Sequence, residues 1–229
     1  MSHYSVAVIH RKDQDIEELL APYDENIEVK PYVIMTRQEA IAHARKYHGL
    51  GKSATDEDCW KSTAEGYHNK TDKDGNIYST YNPNSKWDWW EIGGRFHGLL
   101  LVNGKPANTG IIRDIDFSPR LKRYKYARKV WETVIEGKRK CEPIFLPCTQ
   151  KELLEAYPDK ESFARNKSLF STFAVVAPDG KWYEVGQMGW WGLSSETVAE
   201  ERDWNEHYKE RFIDPANPEM YITIVDCHI

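Results

Sequence analysis

The sequence predicts an α+β protein: one mostly antiparallel sheet with helices packed on it, in a single domain. Three observations carry this. Strand-like stretches stand at both ends, HYSVAVIH (3–10) and MYITIVDCHI (220–229). Further strand pairs in the middle are joined by tight-turn signals. The amphipathic segments come in clusters and do not alternate singly with strands.

Taken in order, residues 3–10 favour a strand through Val6, Val8 and Ile9, and a short helix around 14–20 follows, stopped near Pro22. Residues 25–35 alternate Ile27, Val29 and Val33 and read as a second strand. Pro31 places it at an edge, because proline has no N–H to give a ladder. Thr36-Arg-Gln-Glu39 is a capping box, in which hydroxyl and carboxylate each satisfy a free N–H, and it opens a helix to about His48. Residues 50–76 are polar and read as an excursion over the surface with one helical turn around 56–65. Gly51-Lys-Ser53 there is no phosphate loop, since Lys46 stands where the first glycine belongs.

In 97–107, Asn103-Gly104 supplies the positive φ angles of a tight hairpin turn. Ser118-Pro119 reads as a cap followed by a proline at the first helical position, opening a helix to about Glu136. Thr149-Gln-Lys-Glu152 is a second capping box, and helices are expected at about 150–157 and 159–167. A hairpin turns at Pro178-Asp179-Gly180, a helix covers about 195–213, and a strand closes the chain.

Composition narrows the function. The chain has 229 residues, 40% hydrophobic, with a net charge of -5, which excludes a wholly basic nucleic-acid coat and an extreme acidic mimic. Nine Trp and thirteen Tyr bring large rings whose polar tips need partners. No run of eighteen apolar residues occurs, and the N-terminus reads as a first strand, not a signal peptide. Cys59, Cys141, Cys148 and Cys227 lack paired spacing, so free thiols are expected and no metal site or cofactor is assigned.

The most distinctive stretch is STYNPNSKWDWWEIGGRF (79–96). Strand alternation would set Trp87, Trp89 and Glu91 on one face, with Lys86, Asp88, Trp90 and Ile92 on the other. Bare amides at Gly93 and Gly94, the Arg95 fork and Lys86 would hold a phosphate or carboxylate, and a tryptophan face would stack a ring. The alternative is a salt-bridged aromatic strand with a glycine bulge. In the terminal VDCHI, Asp226 and His228 share a face and Cys227 points away, so no Cys–His nucleophile forms there. Asp226 or His228 is the candidate general base, or a metal ligand with a third donor among His3, His10 and His97. The loop QMGWWG (187–192) carries Trp190 and Trp191, as a site wall or a core plug. Finally, Arg120, Lys122, Arg123, Lys125, Arg128 and Lys129 make a basic helix with interleaved tyrosines, able to meet nucleic-acid phosphates or simply to face solvent.

These segments together resemble a family of bacteriophage and prophage proteins that also occurs in actinobacterial genomes. The shared stretches are HYSVAVI, LAPYDEN, VKPY, YNPNSKWDWWEIGGRF, FAVVAPDGKWYEVGQMGWWG and VDCHI, nearly end to end. Phe96 stands where the family commonly has tryptophan, and 50–76 falls in a region of variable length. The resemblance implies a host-cell cytoplasm and brings no activity with it. The expectation is therefore a protein binding a small anionic ligand or a host component, including an immune enzyme. An enzyme acting on nucleotides or phosphoesters is the first alternative, and a nucleic-acid binder the second.

Overall fold

The computed structural model describes residues 2–51, 53–68, 70–138, 148–189 and 193–229. The elements in chain order are β1 (His3–His10), α1 (Ile16–Leu20), β2 (Tyr32–Met35), α2 (Arg37–Tyr47), α3 (Asp56–Gly66), β3 (Ile77–Ser79) and β4 (Trp89–Ile92). There follow β5 (Leu100–Val102), β6 (Lys105–Ala107), β7 (Thr109–Ile111), α4 (Leu121–Val134), α5 (Gln150–Ala156) and α6 (Lys160–Ser168). The chain ends with β8 (Ala174–Val176), β9 (Trp182–Glu184), α7 (Val198–Tyr208) and β10 (Tyr221–His228). This is the expected α+β class. The chain divides into two compact units, one of residues 1–24 and 86–229, the other of residues 25–85.

The larger unit is built on a six-stranded sheet in the order β4-β10-β1-β8-β9, with β7 also on β10. All pairings are antiparallel except β1 with β8. The two long strands, β1 and β10, pair along their whole length, from His3 opposite His228 to His10 opposite Tyr221. Both are buried on both faces, which explains why they read as nearly continuous apolar runs.

One face carries Ala7, Ile9, Val175, Ile222 and Ile224 under Trp204 and Tyr208 of α7, Ile213 and Phe170. The other carries Tyr4, Val6, Val8, Val225 and Cys227 against Leu20, Trp87, Trp90 and Trp182. Behind α7, the helices α4, α5 and α6 close a third cluster through Trp131, Leu153, Tyr157 and Phe163. Buried rings find partners for their polar tips: Trp204 Nε1 donates to the Thr172 carbonyl at 2.8 Å, and Trp87 Nε1 to the Leu20 carbonyl at 3.3 Å.

Local signals set most boundaries. Asn103 (φ 49°) and Gly104 (φ 76°) turn β5 into β6 as expected, and the Asp179-Gly180 turn joins β8 to β9. The boxes Thr36/Glu39 and Thr149/Glu152 cap α2 and α5. The helix after Ser118-Pro119 begins later than expected. Ser118 N–H donates to Asp116 Oδ1 at 2.8 Å, making a turn, and α4 starts at Leu121 with no side-chain cap. The helix expected over 195–213 is α7 followed by a π-helical turn, Lys209–Ile213.

In the smaller unit, β2 pairs antiparallel with β3. The strand expected over 25–35 forms only at 32–35. The polar stretch 50–76 contains the 11-residue α3, whose Thr55/Asp58 capping box the sequence reading passed over. Thr63 Oγ1 bonds to the Ala40 carbonyl at 2.9 Å and ties α3 to α2, and the Arg37 guanidinium lies 4.8 Å over the Trp60 ring.

Candidate functional site

The tryptophan stretch and the chain terminus meet. β4 pairs with the last residues of β10, with Trp89 opposite His228, Trp90 opposite Cys227 and Glu91 opposite Asp226. Beyond Val225 the same edge of β10 passes to β7. At the changeover Gly93 N–H donates to the Ile224 carbonyl (2.9 Å), and Ile224 N–H to the Asn108 carbonyl (2.8 Å).

The glycine pair serves this crossover. Gly93 (φ 79°) lies so close to Asn108 that a Cβ there would stand 2.7 Å from Asn108 Cγ, and a Cβ on Gly94 would stand 2.5 Å from Asp226 Cβ. The close approach expected of a ligand is thus made by the chain's own side chains. Asp226 fills the anion position: its Oδ2 accepts the Arg95 backbone N–H at 2.8 Å. The expectation of free glycine amides receiving a phosphate is corrected on this point.

Asp226 has no solvent exposure, and its Oδ1 accepts from His3 Nδ1 at 2.9 Å. Beside it, His228 Nδ1 donates to Asp88 Oδ1 at 2.6 Å. The two imidazoles meet edge to face with centroids 5.0 Å apart, and the Trp89 ring stands 6.2 Å from His3. A carboxylate on each Nδ1–H fixes the tautomer and leaves the lone pair on Nε2. His228 Nε2 is buried and has no hydrogen-bond partner among the described residues. A buried polar atom without a partner costs about 1–3 kcal/mol and calls for an explanation. Among the described residues, no group of three or more His, Cys, Asp or Glu side chains could hold a metal ion.

The remaining expected residues divide. Alternation does not extend to 86–88, because β4 begins only at Trp89. The N–H groups of Lys86 and Trp87 both converge on the Tyr23 carbonyl, and Asp88 N–H goes to the His228 carbonyl. Trp87 therefore shares the buried cluster of Trp90, and Asp88 reaches His228 on the face expected for Trp89.

Lys86 is neutralised internally: its Nζ lies 2.6 Å from Glu184 Oε1, and Glu184 Oε2 accepts from Trp182 Nε1 at 2.8 Å. Its carbonyl accepts the Tyr4 hydroxyl, whose pKa burial pushes far up. Lys86→Met is expected to lower stability by about 1–2 kcal/mol, read from urea unfolding, because it strands Glu184 in a largely shielded place. Trp90 packs into the core, whereas the Arg95 side chain is exposed and forms no ion pair among the described residues. Cys227 points to the opposite face, buried, with its thiol pushed up first by desolvation and then by Asp226. Trp190 and Trp191 lie outside the described residues.

The basic helix is half tied down. Arg120 pairs with Asp116, Arg123 donates to the Leu169 carbonyl at 3.3 Å, and Arg128 pairs with Glu161 at 3.3 Å. Lys122, Lys125 and Lys129 are exposed.

His3 was visible in sequence only as one of three spare metal donors, and its pairing with Asp226 went unread. The signal was present: β1 and β10 have eight residues each, and full antiparallel pairing sets His3 across from His228. Set beside protein-family models, curated proteins and solved structures, the chain matches none.

Proposed function

We propose that the sheet end formed by β1, β10 and β4 is an acid–base site for an anionic ligand, with His228 exchanging a proton through Nε2 and His3 as its neighbour in that work. The observation that carries this is the state of the His228 ring, held at Nδ1 by Asp88 and, among the described residues, without a partner at a buried Nε2. Asp226 gives His3 the same orientation. Trp89, 47% exposed, offers a face on which a base or other ring can stack. The exposed Arg95 guanidinium supplies charge for a phosphate or carboxylate.

Two carboxylate-held imidazoles favour turnover of a nucleotide or phosphoester over capture alone, since general acid–base chemistry needs such positioned groups. Lys86 has no part in this, being paired with Glu184. The resemblance to bacteriophage and prophage proteins supports a host-cell cytoplasm and a host-derived ligand, an immune signal among them. Against a panel of nucleotides and phosphodiesters, His228→Ala and His3→Ala are each expected to lower kcat about 10²- to 10⁴-fold with the circular dichroism spectrum unchanged. Saturable binding with no turnover would make the site a capture site. Neither binding nor turnover, or full activity in both variants, would remove it.

A nucleic-acid surface on α4 rests on Lys122, Lys125 and Lys129 alone. Any gel shift through it should weaken steeply with salt, and a salt-insensitive shift would exclude it.

A further inference from the structure

β1 presents different chemistry at its two ends on one face. His3 belongs to the polar cluster. Ile9, six residues on with the same parity and so about 20 Å away, lines a cavity of about 520 Å3. The walls come from the β8–β9 turn (Pro178), β9 (Tyr183), α7 (Trp204) and the π-helical turn (Arg211, Phe212).

Two independent features mark this cavity. Its size falls in the range of about 300–1,000 Å3 typical of small-molecule sites, which are mostly apolar with a few placed polar groups. The second is the π-helical turn itself, Lys209–Ile213. Such turns are rare and recur at functional sites. The extra residue matters geometrically: an ordinary α-helical continuation would rotate later side chains by about 100° per residue removed. As it stands, the turn directs both Arg211 and Phe212 to the hollow.

The chemistry of the lining defines the ligand. Phe212 contacts Tyr183 (centroids 5.4 Å apart) and Trp204 (5.1 Å), giving a continuous aromatic wall. Arg211 is the one charged side chain among the described lining residues. One of its nitrogens, Nη2, donates to Asp203 Oδ2 at 2.7 Å, and the side chain is 45% exposed. The guanidinium carries five N–H groups, so donors remain for a second carboxylate. A neighbouring hollow beyond Arg211 is lined by Glu184, Glu200 and Asp203 and, among the described residues, by no cation besides Arg211.

We propose that this cavity binds a flat aromatic molecule bearing one carboxylate, its ring against the Tyr183–Phe212–Trp204 wall and its carboxylate on Arg211. The site is separate from the acid–base cluster and does not depend on it.

Isothermal titration of the whole chain with 2-naphthoate tests this, with 2-naphthylmethanol as the uncharged control. Naphthoate should bind saturably at one site and the alcohol at least about tenfold more weakly, as expected for loss of a charge-assisted pair. Arg211→Met should weaken naphthoate by about the same factor and leave the alcohol unchanged. Ala216→Trp, which fills the cavity, should abolish both. The proposal is overturned by no saturable heat with naphthoate at millimolar concentration, by equal affinity for acid and alcohol, or by unchanged binding in Arg211→Met. Should Ala216→Trp fail to fold, the Arg211→Met comparison decides alone.

Discussion

Gly94→Ala is expected to destabilise the larger unit by about 3–5 kcal/mol, one of the largest effects of any single methyl in this chain. Two causes add. Gly94 has φ 46°, in the left-handed region, where an L-residue with a Cβ loses about 1–2 kcal/mol. The new methyl would also stand 2.5 Å from Asp226 Cβ and 2.8 Å from Glu91 Oε1. Glu91 is exposed and can swing away. Asp226 cannot, because it is fully buried and fixed by Arg95 N–H and His3. Relieving the overlap means breaking one of those bonds. Gly104→Ala is the control. Its φ is 76°, yet a Cβ there meets nothing within 4 Å, so it should cost only the conformational part, about 1–2 kcal/mol. Urea denaturation of the two variants separates the terms. Equal losses would mean that Asp226 yields, and that the packing around it is looser than the geometry indicates.

Gly94 also shows how far the sequence could be read. That glycines beside an aromatic strand permit a close approach is local information, and it was legible. What approaches is Asp226, and no spacing along the chain encodes a partner so remote in sequence. The same holds for Lys86. Its charge among tryptophans looks like an anion receptor until Glu184 is seen 2.6 Å away. Turns and caps were readable for the opposite reason, since Asn103-Gly104, Thr36/Glu39 and Thr149/Glu152 act within a few residues of themselves. The missed start of α4 fits this pattern. Asp116 competes for Ser118 N–H and converts an apparent cap into a turn, a choice between two local options that composition does not decide. The π-helical turn after α7 is hidden for a further reason: its sequence, KERFI, has the side chains of an ordinary helix.

The contrast between Asp226→Ala and Asp226→Asn bears most directly on function. Alanine leaves the part-buried Arg95 N–H and His3 Nδ1–H without their acceptor. Removing one member of such a buried, charge-assisted set costs about 3–5 kcal/mol. Asparagine can keep most of it: its Oδ1 accepts the Arg95 N–H, and its amide donates to His3 Nδ1 once that nitrogen gives up its proton. The ring must then carry its hydrogen on Nε2. Asp226→Asn should therefore fold with a loss of about 1 kcal/mol or less, yet hold His3 in the opposite tautomer. If His3 works through an Nε2 lone pair, turnover should fall about as far in Asp226→Asn as in His3→Ala. The tautomer can be read from the imidazole nitrogen resonances in a ¹⁵N-labelled sample. A switched tautomer with full activity would reduce the Asp226–His3 pair to scaffold and leave the chemistry to His228 and Asp88. Activity lost together with the switch would mean that the buried carboxylate acts by setting which nitrogen of His3 carries the proton, and so whether Nε2 offers a lone pair to the ligand.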